Sequence, residues 1–339
     1  MEPGAYAVDV YTSGSVIDFA KIFAQDPEYQ RGFWPNALEL LTINGAVASV
    51  PAVTNTVIVY YNKGLFAQHG LEVPQTLDEL KKVGAVLGAK GIAPIAYPAG
   101  QDRNFPIFPF YTYAGGTKAD RLLREADLGT KPWTSPELVA AAEFVGHDGQ
   151  VRPVRQGCAR HQGARRDLHL CRRQVGDVLG WAVDAPVDPG GAAPGFDLGI
   201  FPFPAVVAGG HKPVLSSVGI TLTVNARSKH PDLAFEMIKA LTGAWGKIEY
   251  TRNLGLSPNG PISAEAIAYQ MQSLKDPLYP EFLKLQPTGT TRVIFTPPVE
   301  EALTQGMQAL FVGQKTPRAV MESVEAASQK VGVRKFKVG

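Results

Sequence analysis

Two cysteines and two histidines lie close together in the middle of the chain, in the spacings Cys158-x2-His161 and His169-x-Cys171. Thiolate and imidazole groups are the side chains from which tetrahedral zinc sites are built. The spacing matches no common zinc knuckle, and the neighbouring arginines would oppose a cation. Those arginines also lack the interleaved aromatic residues of a nucleic-acid interface. We therefore expect no metal ion, no other cofactor and no nucleic-acid partner, and two cysteines predict no disulfide framework.

Catalytic motifs are the second kind of chemistry to consider. The sequence contains neither a Gly-x-Ser-x-Gly nucleophile elbow nor a His-Glu-x-x-His metal motif. The glycine pairs at 115–116 and 209–210 lack the context of a phosphate-binding loop, so we interpret them as turns. Nothing in the sequence indicates an enzyme. An enzyme stays open as an alternative, and it would require a paired acid and base in a cleft.

Length and composition limit the class of protein. The chain has 339 residues, which predicts two domains that each bury a core. Hydrophobic residues make up 45% and charged residues 19%, as in ordinary globular proteins. The net charge of +2 implies no polyanionic partner. No apolar run is long enough to span a bilayer, and the first residues, 1–4, lack the features of a signal peptide.

Alternating strands and helices are predicted around one buried strand. Residues 57–61 are all β-formers and are apolar on both faces, which is typical of such a strand. Thr76 and Glu79 form a capping box that begins a helix. An Asn44-Gly45 pair predicts a hairpin turn. Four sets of apolar residues recur at helical spacing, which predicts one buried face on each of four helices. They are Leu77, Leu80, Val83 and Leu87; Ala234, Met237, Ile238 and Leu241; Val299, Leu303, Met307 and Leu310; and Val320, Val324 and Ala327. We also predict a helix over 16–23 and a strand over 214–224.

A known family is recognisable in the stretch VPAVTNTVIVYYNKGLFAQHGLEVPQTLDELKKVGAVLGAKGIAPIAY. Its order of Val-Pro, Asn-Thr, apolar strand, Tyr-Asn-Lys, Leu-Phe, Gly-Leu and Pro-x-Thr resembles the bacterial extracellular solute-binding proteins of family 1, the maltose-binding-protein-like receptors of ABC sugar importers. The segments 24–51, 193–202 and 216–243 also resemble that family. The resemblance implies a two-lobed α/β fold of the type II periplasmic-binding-protein class, with the strand at 57–61 passing from one lobe to the other.

The same resemblance implies where a ligand would be bound. Asn55 falls where the family has a ligand-contacting side chain. The first lobe's cleft loop would supply Tyr11, Thr12 and Ser13, and the second crossing would supply Ser216, Ser217 and Val218. Sugar sites combine flat apolar faces with planar polar groups that bind hydroxyls in pairs. Asp102, Arg103, Asn104 and Phe105 offer that combination at the start of an aromatic cluster that is otherwise expected to be core.

Two departures from the family affect the expected activity. Family members have more chain before the first strand, so we interpret this chain as N-terminally truncated. Residues 146–190 contain no Phe, Tyr, Ile, Met, Lys or Glu and are rich in Arg, as in a high-GC gene read out of frame. The chain as written is therefore expected to fold poorly and to bind sugar poorly. A non-functional product of a truncated, frameshifted gene is accordingly an alternative to the functional interpretation.

These expectations combine into one hypothesis. The N-terminal lobe would comprise 1–58 and 222–270, and the C-terminal lobe 59–221 and 271–339, with crossings near 55–62, 215–222 and 268–295. The intact protein would capture a carbohydrate between the lobes and deliver it to ABC permease subunits. It would act as a monomer, in the periplasm or as a cell-surface lipoprotein.

Overall fold

The fold is an α/β arrangement with two main hydrophobic cores. The computed structural model describes residues 11, 13–92, 107–118, 121–148, 179–183, 197–207, 209–254, 257–265, 267–268, 278–285, 290–291 and 295–332. Within these ranges the helices are α1 Ala20–Gln25, α2 Pro27–Arg31, α3 Pro35–Leu40, α4 Lys63–Gln68, α5 Leu77–Ala89, α6 Ile107–Lys118, α7 Arg121–Asp127, α8 Pro136–Asp148, α9 Pro231–Thr242, α10 Ala244–Leu254, α11 Tyr279–Leu285, α12 Pro297–Phe311 and α13 Pro317–Val331. The strands are β1 Thr42–Ile43, β2 Ala46–Val47, β3 Val50–Pro51, β4 Val53–Asn62, β5 Leu179–Val183, β6 Leu198–Phe201, β7 Leu215–Val218, β8 Thr221–Leu222, β9 Ser257–Pro258 and β10 Thr290–Thr291.

Strand β4 is the centre of the largest sheet. It pairs antiparallel with β5, β6, β7 and β9, and β10 adds to the sheet in parallel with β7. Its burial is nearly continuous, as the β-branched and aromatic residues predicted. Alternate side chains enter different clusters: Val57 and Val59 face the larger core, and Ile58 and Tyr60 face a smaller cluster around Phe282. Both faces of the strand are therefore covered.

The larger core is built by helices on one face of this sheet. Helix α5 presents the predicted stripe of Leu77, Leu80, Val83 and Leu87, all buried, and its capping box at Thr76 is present. Trp133, Phe110, Tyr111 and Phe295 supply the aromatic part of this core. The predicted stripe of α12 is buried in full. In α13, Val320 and Val324 are buried and Ala327 is half-buried.

The smaller core joins segments that are distant in sequence. Phe19, Phe23, Tyr29 and Phe33 pack with Val50, Val224 and Ile238. The hydroxyls of Tyr29 and Thr242 lie 2.8 Å apart. Burial raises the pKa of the Tyr29 phenol to about 12. Beside it, Lys239 donates a hydrogen bond to the Asp26 carboxylate. This bond, and a second from the backbone N–H of Tyr29, lower the pKa of the Asp26 carboxyl. Helix α9 is thus fixed to α1 and α2 at several points.

Short strands extend the smaller core. The Asn44-Gly45 turn joins β1 to β2 as predicted, with φ of 51° and 83°. Strand β3 pairs with β8, so that Val50 lies opposite Leu222 and Pro51 opposite Thr221. Immediately afterwards, β4 pairs with β7 in the large sheet. Two antiparallel chain segments therefore run side by side between the cores: one leads from β3 into the large sheet, and the other returns from β7 through β8 to the smaller core.

Four local predictions are wrong. The Gly115-Gly116 pair, interpreted as a turn, lies inside α6, where a methyl group on Gly116 would lie 2.6 Å from Val206 Cγ2, so these small residues serve close packing of the helix. The expected helix at 16–23 begins only at Ala20, because Val16 instead pairs with Asn225 in an isolated β-bridge. The expected continuous strand at 214–224 is two strands, since β7 and β8 pair with different sheets and the break falls at residues 219 and 220. Met237 is 60% exposed rather than core, because α9 turns Ile238 and Thr242 inward.

Of the segment 146–190, the structure describes residues 146–148 and 179–183. Residues 146–148 are the last residues of α8. Residues 179–183 form β5, in which Val183 pairs with Val57 and Leu179 pairs with Tyr61. The remaining residues of the segment, including both cysteines and both histidines of the zinc hypothesis, lie outside the described residues. The frame-error interpretation stays a prediction.

Candidate functional site

The candidate site lies where β4 and β7 pair, at the point where both chain segments pass from one core to the other. We call this the crossing, and define it as residues 51–56 and 216–221. In its register Asn55 lies opposite Ser217, Thr56 opposite Ser216 and Thr54 opposite Val218. Directly opposed residues of antiparallel strands share a face. The structure therefore brings four of the candidates, Asn55, Ser216, Ser217 and Val218, into three adjacent pairs.

The two faces of the crossing differ in burial. Asn55 and Ser217 are half-buried, whereas Thr56 is fully buried and Ser216 is 7% exposed. Val218 is also buried, against α3 residues and Trp34. Since a binding side chain has to reach its ligand, the accessible pair, Asn55 and Ser217, offers the amide and hydroxyl groups. Val218 and Ser216 support the strand.

Hydrogen bonds fix the start of β4 before it reaches Asn55. Thr54 Oγ1 donates to the Pro258 carbonyl oxygen at 2.8 Å, and Trp34 Nε1 donates to the same oxygen at 3.2 Å. Asn259 Nδ2 donates to the carbonyls of Pro51 (2.7 Å) and Thr242 (3.2 Å). Fully buried polar groups with such partners stabilise one backbone position rather than several. Asn55 consequently projects from a backbone anchored on both sides of the strand.

The N-terminal candidates are separate from this pair. Tyr11 is half-buried against Ile43 and Ala48, and the exposed Ser13 Oγ lies 2.6 Å from Ser15 Oγ. A cavity of about 550 Å³ lies beside Tyr11; its lining residues are Tyr11, Gly14, Val16, Ile17, Asp18, Lys21 and Ile22. None of the crossing candidates lines it. Thr12, Asp102, Arg103, Asn104 and Phe105 lie outside the described residues.

Sequence reasoning missed Trp34, Thr54 and Asn259, which anchor the crossing. Their bonds to Pro51 and Pro258 join residues 204 to 224 positions apart, and no local pattern indicates such pairs. A weak signal was available at Asn259, because it follows a proline in a Leu-Ser-Pro-Asn turn. Among the described residues, no group of three metal-ligating side chains is present, and no helix is both long and apolar enough to cross a bilayer.

Comparison with known proteins shows what the chain resembles. Residues 2–145 match the model of the bacterial extracellular solute-binding protein family. The whole chain has the family's fold: it superposes on maltose-bound MalE3 of T. maritima with a TM-score of 0.72 and 20% identity, covering 98% of this chain and 82% of the other.

Other known proteins are similar over most of the chain. A ribitol complex of an ABC transporter solute-binding protein from Agrobacterium radiobacter K84 superposes with a TM-score of 0.76 and 18% identity, over 98% of this chain and 84% of the other. The multiple sugar-binding protein of Streptococcus mutans is 23% identical over 290 residues, which is 78% of this chain and 67% of that protein. A putative binding protein of Brucella abortus is 23% identical over 334 residues, 93% of this chain and 77% of that protein. The expected type II binding-protein fold is thereby confirmed.

Proposed function

We propose that the chain captures a carbohydrate between two lobes outside the cytoplasm and presents it to the permease of an ABC importer. The lobes would be 1–58 with 222–270 and 59–221 with 271–339, acting as a monomer that is periplasmic or lipid-anchored. The observation that carries the proposal is the crossing, where paired strands join the two cores and present Asn55 and Ser217. The sugar ligands named for its relatives support a carbohydrate as cargo.

The proposed mechanism is hinge closure. Two short strand pairs, β3 with β8 and β4 with β7, carry the chain between the cores, and we expect small backbone rotations at residues 52 and 219–220 to change the angle between them. A ligand that contacts both sides binds the closed arrangement more tightly and thereby shifts the population toward it. No covalent chemistry is required of the chain, and the anchored Thr54 and Asn259 keep the ligand-facing strand in place.

The test of carbohydrate capture is ligand-dependent stability of the chain itself. We expect thermal melts in a panel of mono-saccharides, oligosaccharides and polyols to move upward with at least one of them. At a ligand concentration 100 times Kd, the gain is about 2.7 kcal/mol. A cooperative melt that no carbohydrate moves would contradict the proposal. A non-cooperative melt would instead agree with the expectation that the chain as written folds and binds sugar poorly.

The role of Asn55 gives a sharper prediction. Asn55→Ala removes an amide that would bond a ligand hydroxyl, so affinity should fall by about 1–3 kcal/mol, or roughly 5- to 150-fold. Calorimetry with the best carbohydrate of the panel measures the change. Asn225→Ala is the matched control, because Asn225 is exposed in its β-bridge with Val16, outside the crossing, and its amide oxygen accepts a local bond from the Arg227 N–H. Equal affinity for both variants and the wild type would exclude Asn55 as a contact.

A further inference from the structure

Gly219 lies against the side chain of Asn55 at the break between β7 and β8. Its backbone N–H donates to the Val53 carbonyl oxygen at 3.1 Å. A methyl group placed on Gly219 would lie 2.4 Å from Asn55 Oδ1 and 3.0 Å from Val53 Cγ2. Carbon atoms need about 3.5–4.0 Å from non-bonded neighbours. The Asn55 amide therefore occupies the space that any other residue at 219 would fill.

The backbone conformation does not by itself demand glycine at this position. Eight glycines among the described residues have positive φ, and Gly219 is not one of them. Alanine could adopt the same φ without the left-handed penalty. Glycine is required at 219 because a larger residue would collide with neighbouring side chains. The nearest of these is the Asn55 amide, which we propose as a ligand contact.

We propose that Gly219 is the positioning residue for Asn55. It holds the amide flat against the second crossing segment, so that the hydrogen-bonding groups are pre-oriented before the ligand arrives. Pre-orientation raises affinity because less rotational freedom is lost on binding. The proposal rests on the proposed carbohydrate site for its functional meaning. It also links that site to the hinge, since Gly219 lies at the point where the chain leaves one sheet for the other.

The experiment is a double-mutant cycle of Gly219→Ala and Asn55→Ala. We expect Gly219→Ala to weaken carbohydrate binding about 10-fold in the wild-type background, measured by calorimetry on the folded fraction. In the Asn55→Ala background the same change should cost nothing further, because the displaced amide is gone. Equal losses in both backgrounds would overturn the proposal. Gly88→Ala is the control, since a methyl there meets open space on α5.

A measurement without ligand tests the contact between Gly219 and Asn55 independently of whether the chain binds a carbohydrate. Urea unfolding should show that Gly219→Ala destabilises the chain more with Asn55 present than with Ala at 55. This coupling is expected even if no carbohydrate binds, whereas additive effects would show that Gly219 does not act on Asn55. If Gly219→Ala fails to fold, folding of the double variant supports the contact. Failure of both variants contradicts it.

A second inference rests on a different observation, the ion pair between Glu39 and Arg124. Arg124 Nη2 lies 3.0 Å from Glu39 Oε1, with the side chains 29% and 47% exposed respectively. Glu39 is on α3, whose Leu38 belongs to the smaller core. Arg124 is on α7, whose Leu122 and Leu123 belong to the larger core. The pair therefore joins surface groups of the two cores, and its Glu39 lies on a helix, α3, that also packs against Val218 of the crossing.

We infer that this ion pair stabilises the arrangement in which the two cores are close together, before any ligand binds. A partly exposed ion pair contributes little free energy. When the open and closed arrangements are close in free energy, however, a small contribution changes their populations measurably. Because the pair is partly solvated, salt should weaken it. The chain would then open as ionic strength rises, and ligand affinity would fall with it.

Small-angle scattering of the ligand-free protein tests this directly. We expect the radius of gyration to increase between 20 mM and 500 mM NaCl, and Glu39→Gln to show the larger value at both concentrations. The charge exchange Glu39→Arg with Arg124→Glu should restore the compact form at low salt. Glu322→Gln is the control, because its partner Arg318 lies on the same helix, α13. Dimensions that depend on neither salt nor Glu39 would overturn the inference.

Discussion

Replacing Gly260 with alanine should destabilise the smaller core more than most single substitutions would. A methyl group on Gly260 would lie 1.9 Å from the Gly32 carbonyl oxygen and 2.9 Å from Phe33 Cα. These are backbone atoms, which cannot rotate away as a side chain can. The adjacent bond from the Trp34 N–H to the Asn259 carbonyl, at 2.9 Å, holds the two segments together. We expect the free energy of unfolding to fall by about 3 kcal/mol.

Urea unfolding followed by tryptophan fluorescence measures this loss. Gly88→Ala serves again as the reference, and there the sign should reverse, because alanine favours an exposed helical position by about 1 kcal/mol. A Gly260→Ala protein as stable as the wild type would show that residues 32–33 and 260 are not in contact. It would also place the crossing's anchor at Asn259 in doubt.

The second large effect is a rise in stability from pH 8 to pH 10. Lys247 is 5% exposed, and its ammonium group donates to the carbonyl oxygens of Gly32 and, at 3.2 Å, Pro261. Desolvation by burial lowers the pKa of this lysine to about 8. In the unfolded chain its pKa is about 10.4. Between these values the unfolded state binds more protons than the folded state, so raising the pH stabilises the folded state.

The size of this rise is set by the difference between the two pKa values, and it is about 3 kcal/mol at most. The raised pKa of Tyr29 has the opposite effect, but only above about pH 10. Urea unfolding at pH 7.5, 8, 9 and 10 gives the curve, and Lys247→Met should flatten it. Lys82→Met, on the exposed face of α5, should keep the wild-type slope. A wild-type curve that is flat or falls over this range would contradict the assignment.

Local patterns in the sequence were sufficient to predict several regular elements in both cores. The stripes of α5 and α12 and the Asn44-Gly45 turn depend on neighbours within a few positions, and each is found where expected. The strand around 57–61 was equally clear, although it extends from Val53 to Asn62. These elements carry their own signal because their burial follows a fixed period.

Predictions failed where a distant segment decides the outcome. Met237 fits a helical stripe by spacing, but the contact of Thr242 with Tyr29, 213 positions away, rotates the buried face of α9. Residues 214–224 have the composition of one strand, yet β8 pairs with β3 and β7 with β4. Asn55 and Ser217 could be proposed only through family resemblance. They lie opposite each other because β4 pairs with β7, which is a contact between distant parts of the sequence.

The discontinuous smaller core has a consequence for synthesis of the chain. Phe19, Phe23 and Tyr29 emerge from the ribosome early, whereas Thr242, the partner of Tyr29, follows 213 positions later. At about 5–20 residues per second, the aromatic cluster waits roughly 10–40 s for the helix that covers it. The larger core can begin to form sooner, because α4, α5 and α6 follow β4 closely, although α12 and α13 complete it only at the end of synthesis. During the interval we expect the aromatic cluster of the smaller core to be exposed and open to aggregation or to capture by a chaperone that binds aromatic segments.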